Sequence, residues 1–172
     1  MSQFTEIRPQ ELTANPFQMI GTDWLLITAK KENKYNSMTA SWGGLGIMWG
    51  KEVAYIVLRP QRYTKEFVDA GETFSISVLP AGYQKEYNYL GSVSGRDEDK
   101  MSHIPLHVEE ELDTPYFTEA DTVLICRKLY AQEMSKDCML NDWVDEKWYP
   151  NQDYHTLYIA AIEKVMVKQE LV

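Results

Sequence analysis

The sequence contains few cysteines, fewer basic than acidic residues and no long apolar run. Its 172 residues include 17 Lys and Arg against 26 Asp and Glu, for a net charge of −9. Nucleic-acid backbones and anionic lipids both require a basic surface, so this charge argues against both partners. No segment approaches the roughly 20 apolar residues of a membrane-spanning helix. The sequence therefore predicts neither a nucleic-acid-binding protein nor a membrane protein.

Only two cysteines are present, Cys126 and Cys138, and no metal-binding motif surrounds either one. Residues 1–16 contain acids and amides but no basic start and no apolar run, unlike a signal peptide. These features predict a cytoplasmic protein with reduced thiols and no metal site. Because no repeat or low-complexity linker divides the chain, residues 1–172 are predicted to form a single domain.

Short runs rich in β-branched and aromatic residues predict a mainly β protein. Residues 73–79 alternate apolar and hydroxyl side chains, which is the pattern of a half-buried strand. Further strands are predicted at residues 24–29, 53–58, 122–130 and 156–162. Several short strands with few helical patterns between them are typical of a β-barrel or a β-sandwich.

Two short helices are predicted between the strands. The first begins with Thr64 as its N-cap and ends at Gly71 in a left-handed conformation. The second covers residues 81–90 and ends at Gly91. Residues 97–121 are polar and acidic, and we expect them to make a long surface excursion.

A row of small polar side chains beside an indole is the first candidate for a binding site. Residues 36–42 read Asn-Ser-Met-Thr-Ala-Ser-Trp, and the small Ala40 and Ser41 would let a flat ring approach the backbone. An edge strand followed by a Ser/Thr turn explains the same residues without a ligand. The glycines at 43–46 lack the helix and lysine of a phosphate loop, so a tight turn is predicted there.

Two guanidinium groups precede the first predicted helix. Arg59, Arg62 and Lys65 crowd its N-terminus, where the helix dipole already contributes about half a positive charge. A bound anion would relieve that repulsion, which predicts a phosphate site at this end of the helix. The alternative is that these side chains point to solvent or pair with the abundant acids.

A third candidate lies in residues 91–100. Ser94 and Gly95 can form a backbone nest for an anion, and Arg96 and Lys100 add positive charge. A charged surface turn explains the same residues equally well.

The order of these three motifs resembles that of the flavin reductase-like family of FMN-binding split barrels, especially its flavoredoxin-like branch. The matching patterns are Asn-x-Met-Thr-Ala-Ser-Trp, Arg-Pro-x-Arg-Tyr-Thr and Ser-Gly-Arg-Asp-x-Asp-Lys. The resemblance extends from about residue 4 to about residue 167. It implies a Greek-key split β-barrel with a few short helices, a homodimer, and FMN bound in a groove near the dimer interface.

The resemblance also implies which residues surround FMN. Those expected beside the isoalloxazine and the ribityl chain are Asn36, Met38, Thr39, Ala40, Ser41 and Trp42. Those expected at the phosphate end are Arg59, Arg62, Tyr63 and Thr64, and the site is completed by Ser94, Gly95, Arg96 and Lys100.

His155 is the candidate catalytic residue. In the resembling reductases this position lies near the flavin or the nicotinamide, and the neighbouring Asp153 and Tyr154 are expected to hold the tautomer of His155. Ala160 and Ala161 stand where many members have a glycine and an acid. That departure concerns the use of nicotinamide more than the binding of flavin.

The resemblance implies two functions and leaves a third open. The first is an FMN-dependent oxidoreductase that takes electrons from NADH or NADPH and passes them to flavin or another acceptor. The second is a non-enzymatic electron carrier reduced by a protein partner, for which an acidic surface would attract a basic redox protein. The third is a barrel that binds no flavin, or one that binds another flat phosphate ligand. Trp143, Trp148 and Tyr149 are expected to seal the dimer, with a cover over the flavin ring as the alternative.

Overall fold

One antiparallel sheet dominates the computed structural model, which describes residues 3–169. The strands are β1 (Phe4–Ile7), β2 (Leu25–Lys31), β3 (Lys34–Ala40), β4 (Gly43–Met48), β5 (Lys51–Leu58), β6 (Thr73–Val78), β7 (Val108–Glu111), β8 (Thr114–Phe117), β9 (Thr122–Glu133) and β10 (Thr156–Lys168). The sheet order is β3-β2-β6-β9-β10-β5-β4, with β1 paired to β10, and β7 and β8 form a separate hairpin. The predicted mainly β fold, a Greek-key split barrel, is confirmed.

Residues 3–169 contain four short α-helices between the strands. They are α1 (Pro16–Gln18), α2 (Tyr63–Ala70), α3 (Gln84–Ser92) and α4 (Asp142–Trp148). A π-helical turn at Met19–Asp23 extends α1, and 3₁₀ turns occur at Pro9–Glu11, Lys100–His103 and Lys136–Cys138. Within residues 3–169, no helix is long and apolar enough to cross a membrane.

The five predicted strands are all present, but the tight turn predicted at residues 43–46 is wrong. These residues begin β4, and Gly44 lies opposite Tyr55 of β5. A Cβ on Gly44 would come within 2.3 Å of three atoms of the Tyr55 side chain. The glycine is therefore needed because the aromatic ring lies across it, and not because the chain turns there.

The predicted helix ends also differ from the structure. Arg62 is the N-cap of α2, and the Thr64 side chain accepts a hydrogen bond from Nδ2 of Asn36 at 2.8 Å instead of capping the helix. Gly71 is extended, with φ of −95°, so the predicted left-handed conformation is wrong. Gly91 lies inside α3 and does not end it. A Cβ on Gly91 would lie 3.2 Å from Cβ of Thr39, so this glycine lets α3 pack closely on β3.

The core lies on both faces of the sheet. Successive residues of the central strand β9 belong to different apolar clusters, with Leu124 in one and Val123 and Ile125 in the other. Apolar side chains buried on both faces explain why β9 appears in the sequence as a continuous apolar run. Cys126 is fully buried in this strand, and burial raises the pKa of its thiol.

Candidate functional site

A groove of about 450 Å³ lies where the end of β3, the end of β5 and the start of β10 meet. Its lining residues are Met38, Thr39, Ala40, Ser41, Trp42, Val57, Arg59, Arg62, Trp148 and His155. We call it the tryptophan groove. Eight of these residues are among the site residues predicted from the sequence, whereas Val57 and Trp148 were not among them. Val57 carries no signal in the sequence. Trp148 is expected from the sequence to seal the dimer, with a cover over the flavin ring as the alternative.

The first wall of the groove is the C-terminal end of β3. This strand is the last one at its end of the sheet, so one edge of its backbone has no strand neighbour in the described chain. Thr39 is anchored by a hydrogen bond of 2.5 Å from its Oγ1 to the carbonyl oxygen of Tyr87 in α3. The side chains of Ala40 and Ser41 are small, so an edge of backbone is available to a flat ligand.

Two indole rings and an imidazole ring form the aromatic part of the groove. The ring centroids of Trp42 and Trp148 are 4.8 Å apart, with the planes almost perpendicular. The rings of Trp42 and His155 are 5.1 Å apart and tilted by 38°. Trp148 ends α4, so this helix brings an indole to the groove. Trp143 lies on the same helix but does not line the groove, and 58% of it is exposed.

Arg59 brings positive charge to the groove but is partly neutralised. Its Nη1 donates to Oδ2 of Asp153 at 2.6 Å, and its Nη2 donates to the carbonyl oxygen of Trp148 at 2.8 Å. Its guanidinium also lies 5.2 Å from the centre of the Tyr149 ring. Hydrogen bonds from Gln61 and Arg59 lower the pKa of the Asp153 carboxyl group. The structure thus gives Arg59 an acidic partner, which was the alternative left open by the sequence.

Arg62 and Lys100 are two cations that have no acidic partner within residues 3–169. Nη1 of Arg62 donates to the carbonyl oxygen of Gly91 at 2.7 Å, and burial lowers the pKa of this guanidinium. Nζ of Lys100 donates to the carbonyl oxygens of Leu90 and Val93, at 3.0 Å each. Neither cation forms a salt bridge with any residue in the described chain. Positive charge is favourable at the C-terminal end of α3 because the helix dipole is negative there.

Lys100 itself is inside the protein. Only 2% of the residue is exposed. Burial, and then the charge of Arg62, lower the pKa of its ammonium group to about 8. The structure therefore places Lys100 as a buried donor to the end of α3, and it is not among the residues that line the tryptophan groove.

Five of the seven remaining predicted residues line a second cavity of about 610 Å³. Its lining includes Asn36, Tyr63, Gly95, Arg96 and Lys100. Arg96 points away from the tryptophan groove, because its Nε donates to Glu66 at 3.2 Å and its Nη1 donates to the carbonyl oxygen of Gln61 at 2.9 Å. Thr64 is buried, and Oγ of Ser94 accepts from the backbone N–H of Arg96 at 3.2 Å. The structure thus distributes most of the predicted site over two cavities, whereas Thr64 and Ser94 line neither of them.

His155 is buried at the edge of the tryptophan groove, with 7% of the residue exposed. Its Nδ1 lies 2.8 Å from the hydroxyl group of Tyr149. The expected partners are wrong, because Asp153 binds Arg59, and the hydroxyl of Tyr154 donates to Oδ1 of Asp145 at 2.5 Å. Burial, and then the charge of Arg59, lower the pKa of His155 to about 4 against an opposing effect of Asp153. The imidazole is therefore neutral at physiological pH.

The described chain holds no group of three or more His, Cys, Asp or Glu side chains suited to a metal ion. The groove instead offers a flat aromatic space, a backbone edge and guanidinium groups. These groups suit a ligand that combines a planar heterocycle with an anionic end.

Comparison with known proteins identifies the family of this chain. Residues 17–172 match the family model described as "Flavin reductase like domain". No curated protein sequence matches the chain. Many solved structures share the fold, and three of them represent the range of names among them.

One is an FMN-binding domain of a flavin reductases-like enzyme from Shewanella baltica, with a TM-score of 0.73 and 16% identity over 99% of this chain and 80% of that one. The second is flavoredoxin of Desulfovibrio vulgaris (Miyazaki F), with a TM-score of 0.67 and 22% identity over 96% of this chain and 78% of that one. The third is an NADH:FAD oxidoreductase of Streptomyces globisporus, with a TM-score of 0.65 and 18% identity over 85% of this chain and 75% of that one. With most of its length matched by the family model, the chain belongs to the flavin reductase-like family.

Proposed function

We propose that the chain is an FMN-dependent oxidoreductase that accepts electrons from NADH or NADPH and holds FMN in the tryptophan groove. The observation that carries this proposal is the combination of an edge-strand backbone, two indoles and two arginines around one groove of about 450 Å³. That volume lies within the range of small-molecule and cofactor pockets. Relatives whose names include FMN binding and NADH:FAD oxidoreductase activity support it.

The residues of the groove fit FMN. Its flat ring matches the space beside Met38, Ala40 and Trp42, where the side chains are small or aromatic. Its phosphate matches Arg62, which has no carboxylate partner in the described chain, and Arg59, whose charge Asp153 offsets only in part. FMN supplies the hydride and electron-transfer chemistry when it is bound.

The protein contributes position, water exclusion and electrostatics to this chemistry. Backbone groups from Thr39 to Ser41 are proposed to bind the polar edge of the ring, and small side chains keep that edge accessible. Trp42 and Trp148 line the groove and are proposed to cover part of a bound ring, which would limit its contact with water. Because His155 is neutral at physiological pH, its role is that of a hydrogen-bonding group and not of a cation.

A second function, a flavoredoxin-like electron carrier, is favoured by the surface next to the groove. The chain has a net charge of −9. On α4, the exposed indole of Trp143 lies between the exposed acids Asp142 and Glu146, and the helix ends at Trp148 in the groove. An acidic surface with one apolar anchor suits a basic redox protein. Under this proposal the partner protein, and not a nicotinamide, reduces the bound FMN.

One spectroscopic experiment tests both functions. The visible spectrum of the purified protein is recorded without oxygen, first alone, then after NADH, and then after NADPH. A flavin band that bleaches with either nicotinamide supports the oxidoreductase. A band that persists with both and bleaches with dithionite supports the carrier. No band, even after incubation with FMN and desalting, would overturn tight FMN binding.

We also propose a homodimer located in the cytoplasm. Exposed apolar side chains on the strands β4, β5 and β9 support the dimer: Ile47, Tyr55, Leu129 and Tyr130, together with Trp49 in the turn after β4. An exposed apolar surface of this kind is typical of a protein interface. Two free thiols, Cys126 and Cys138, support a reducing compartment. Sedimentation velocity checks the dimer, and a monomer at all concentrations would contradict it.

A further inference from the structure

Tyr149 and His155 form a buried pair next to the tryptophan groove. The Tyr149 hydroxyl lies 2.8 Å from Nδ1 of His155, and only 5% of Tyr149 is exposed. The Tyr149 ring also contacts the guanidinium of Arg59, 5.2 Å from its centre, and the ring of Tyr154, with the two ring centroids 4.7 Å apart. Burial and these ring contacts restrict the position of the hydroxyl group.

The surroundings of the Tyr149 hydroxyl determine the direction of this hydrogen bond. Besides His155, its only partner in the described chain is the thioether sulfur of Met134, at 3.6 Å. If Nδ1 carried the proton, the tyrosine hydroxyl would accept it, and its own proton would have only a weak sulfur acceptor. If Nδ1 is unprotonated, Tyr149 donates to a strong nitrogen acceptor. In this second arrangement the buried Tyr149 hydroxyl has a good acceptor for its proton. The ring proton of His155 therefore belongs on Nε2.

A backbone contact fixes the position of His155, and burial together with the charge of Arg59 keeps its ring neutral. The carbonyl oxygen of His155 accepts a hydrogen bond from the backbone N–H of Met134 at 2.8 Å, which fixes the start of β10. The charged groups that face the imidazole are Arg59 and Asp153, and these two pair with each other. The ring is therefore neutral. Its second nitrogen, Nε2, is available to form a hydrogen bond with a ligand in the tryptophan groove.

We propose that Tyr149 is a positioning residue that holds His155 as its Nε2–H tautomer, so that His155 presents a neutral hydrogen-bond donor to an acceptor atom of the ligand in the groove. The identity of that ligand as FMN rests on the proposed function, whereas the tautomer does not. The proposed acceptor is a carbonyl oxygen of the flavin ring. A donor at that oxygen would favour the reduced ring, because reduction adds electron density to the oxygen and strengthens the hydrogen bond.

The tautomer is tested first in the flavin-free protein. The chain has three histidines, so the signals of ¹⁵N-labelled His155 are assigned by their loss in His155→Gln. We expect a protonated Nε2 and an unprotonated, hydrogen-bonded Nδ1 at pH 7. A protonated Nδ1 in the wild-type protein would overturn the proposal, and this measurement needs no substitution of Tyr149.

Tyr149→Phe then tests the role of the hydroxyl, because it removes that group and keeps the ring. We expect the Nδ1 signal of His155 to lose its hydrogen-bonded shift and the Nδ1–H tautomer to appear. The matched control is Tyr154→Phe, since the Tyr154 hydroxyl binds Asp145 and not His155. Identical His155 spectra in wild-type protein and Tyr149→Phe would show that Tyr149 does not set the tautomer.

The ligand half of the proposal is tested by the reduction potential of bound FMN. With Tyr149→Phe we expect the preference for reduced over oxidised FMN to weaken by roughly threefold, the size expected for one hydrogen bond. Tyr154→Phe should leave it unchanged. An altered tautomer with an unchanged potential would overturn the donor role of His155. If the protein binds no FMN, the proposed function fails, but the tautomer result still stands on its own.

Discussion

Oδ2 of Asp153 accepts a hydrogen bond from Nη1 of Arg59 at 2.6 Å, in an ion pair whose side chains are only 18% and 24% exposed. The pair joins the end of β5 to the loop between α4 and β10, and Gln61 donates to the same carboxylate oxygen at 2.8 Å. Asp153 therefore controls how much of the positive charge of Arg59 is available to a ligand in the tryptophan groove.

Asp153→Asn should tighten the binding of FMN by about threefold to tenfold, because it removes a negative charge next to Arg59 and keeps a side chain of similar shape. Riboflavin, which has no phosphate, should bind wild-type and variant proteins alike. Quenching of flavin fluorescence gives both affinities, and the gain should shrink at high salt. Unchanged or weaker FMN binding in Asp153→Asn would remove Arg59 from the phosphate site.

Trp42→Ala should weaken FMN and riboflavin together, by about tenfold or more, because the indole supplies a large apolar surface to the ring part of the groove. Trp143→Ala is the matched control, since this exposed indole lies on α4 and does not line the groove. The same titration distinguishes the two variants. Equal losses in both would mean that the ring does not bind beside Trp42.

Lys100→Met should lower the free energy of unfolding by about 1–3 kcal/mol, because it leaves two carbonyl oxygens at the end of α3 without their donor. These are the oxygens of Leu90 and Val93. Lys85→Met on the same helix is the control, because Lys85 is exposed and forms none of the salt bridges found in the described chain. Urea denaturation measures both variants. A Lys100→Met protein of wild-type stability that has lost its affinity for FMN would make Lys100 a ligand of FMN instead of a structural donor.

The sequence predicts the five strands whose side chains are apolar on at least one face. It does not predict strands that form because of contacts with residues distant in the sequence. β3 carries Lys34, Tyr35 and Asn36 in its first half, so it lacks an apolar pattern, and an edge strand at residues 36–42 is only an alternative in the sequence. In the structure it pairs with β2 along its whole length. β4 begins with two glycines, which predict a turn in isolation. Only the register with β5, which places the Tyr55 ring over Gly44, explains why glycine is compatible with a strand there.

The candidate site is also predicted only in part, because some of its contacts join residues that are not neighbours in the sequence. Residues 38–42 reach the groove together because they are consecutive at the end of one strand, and a motif read along the chain captures that. Arg96 was placed in the site by its motif, but its hydrogen bonds to Glu66 and Gln61 direct it to the second cavity. Tyr149 was missed as the partner of His155, because contact between side chains six residues apart depends on the path of the intervening loop.

His155 should make the folded protein sensitive to mild acid. The pKa of its side chain falls from 6.5 to about 4 on folding, first because of burial and then because of the charge of Arg59. Between these two values the unfolded chain binds the proton and the folded chain does not. The free energy of unfolding should therefore fall as the pH drops from about 6.5 to about 4, and His155 should add no further loss below that.

The full shift corresponds to roughly 3 kcal/mol at the acid end of this window. Urea denaturation of wild-type protein and His155→Gln measures the effect. It is carried out from about pH 7.5 down to about pH 4.5. His155→Gln should lose stability less steeply, because glutamine does not titrate. Asp153, whose pKa is lowered in the folded protein, destabilises both proteins in acid and cancels in the difference. Parallel pH profiles for the two proteins would show that His155 takes up its proton as readily in the folded chain as in the unfolded one.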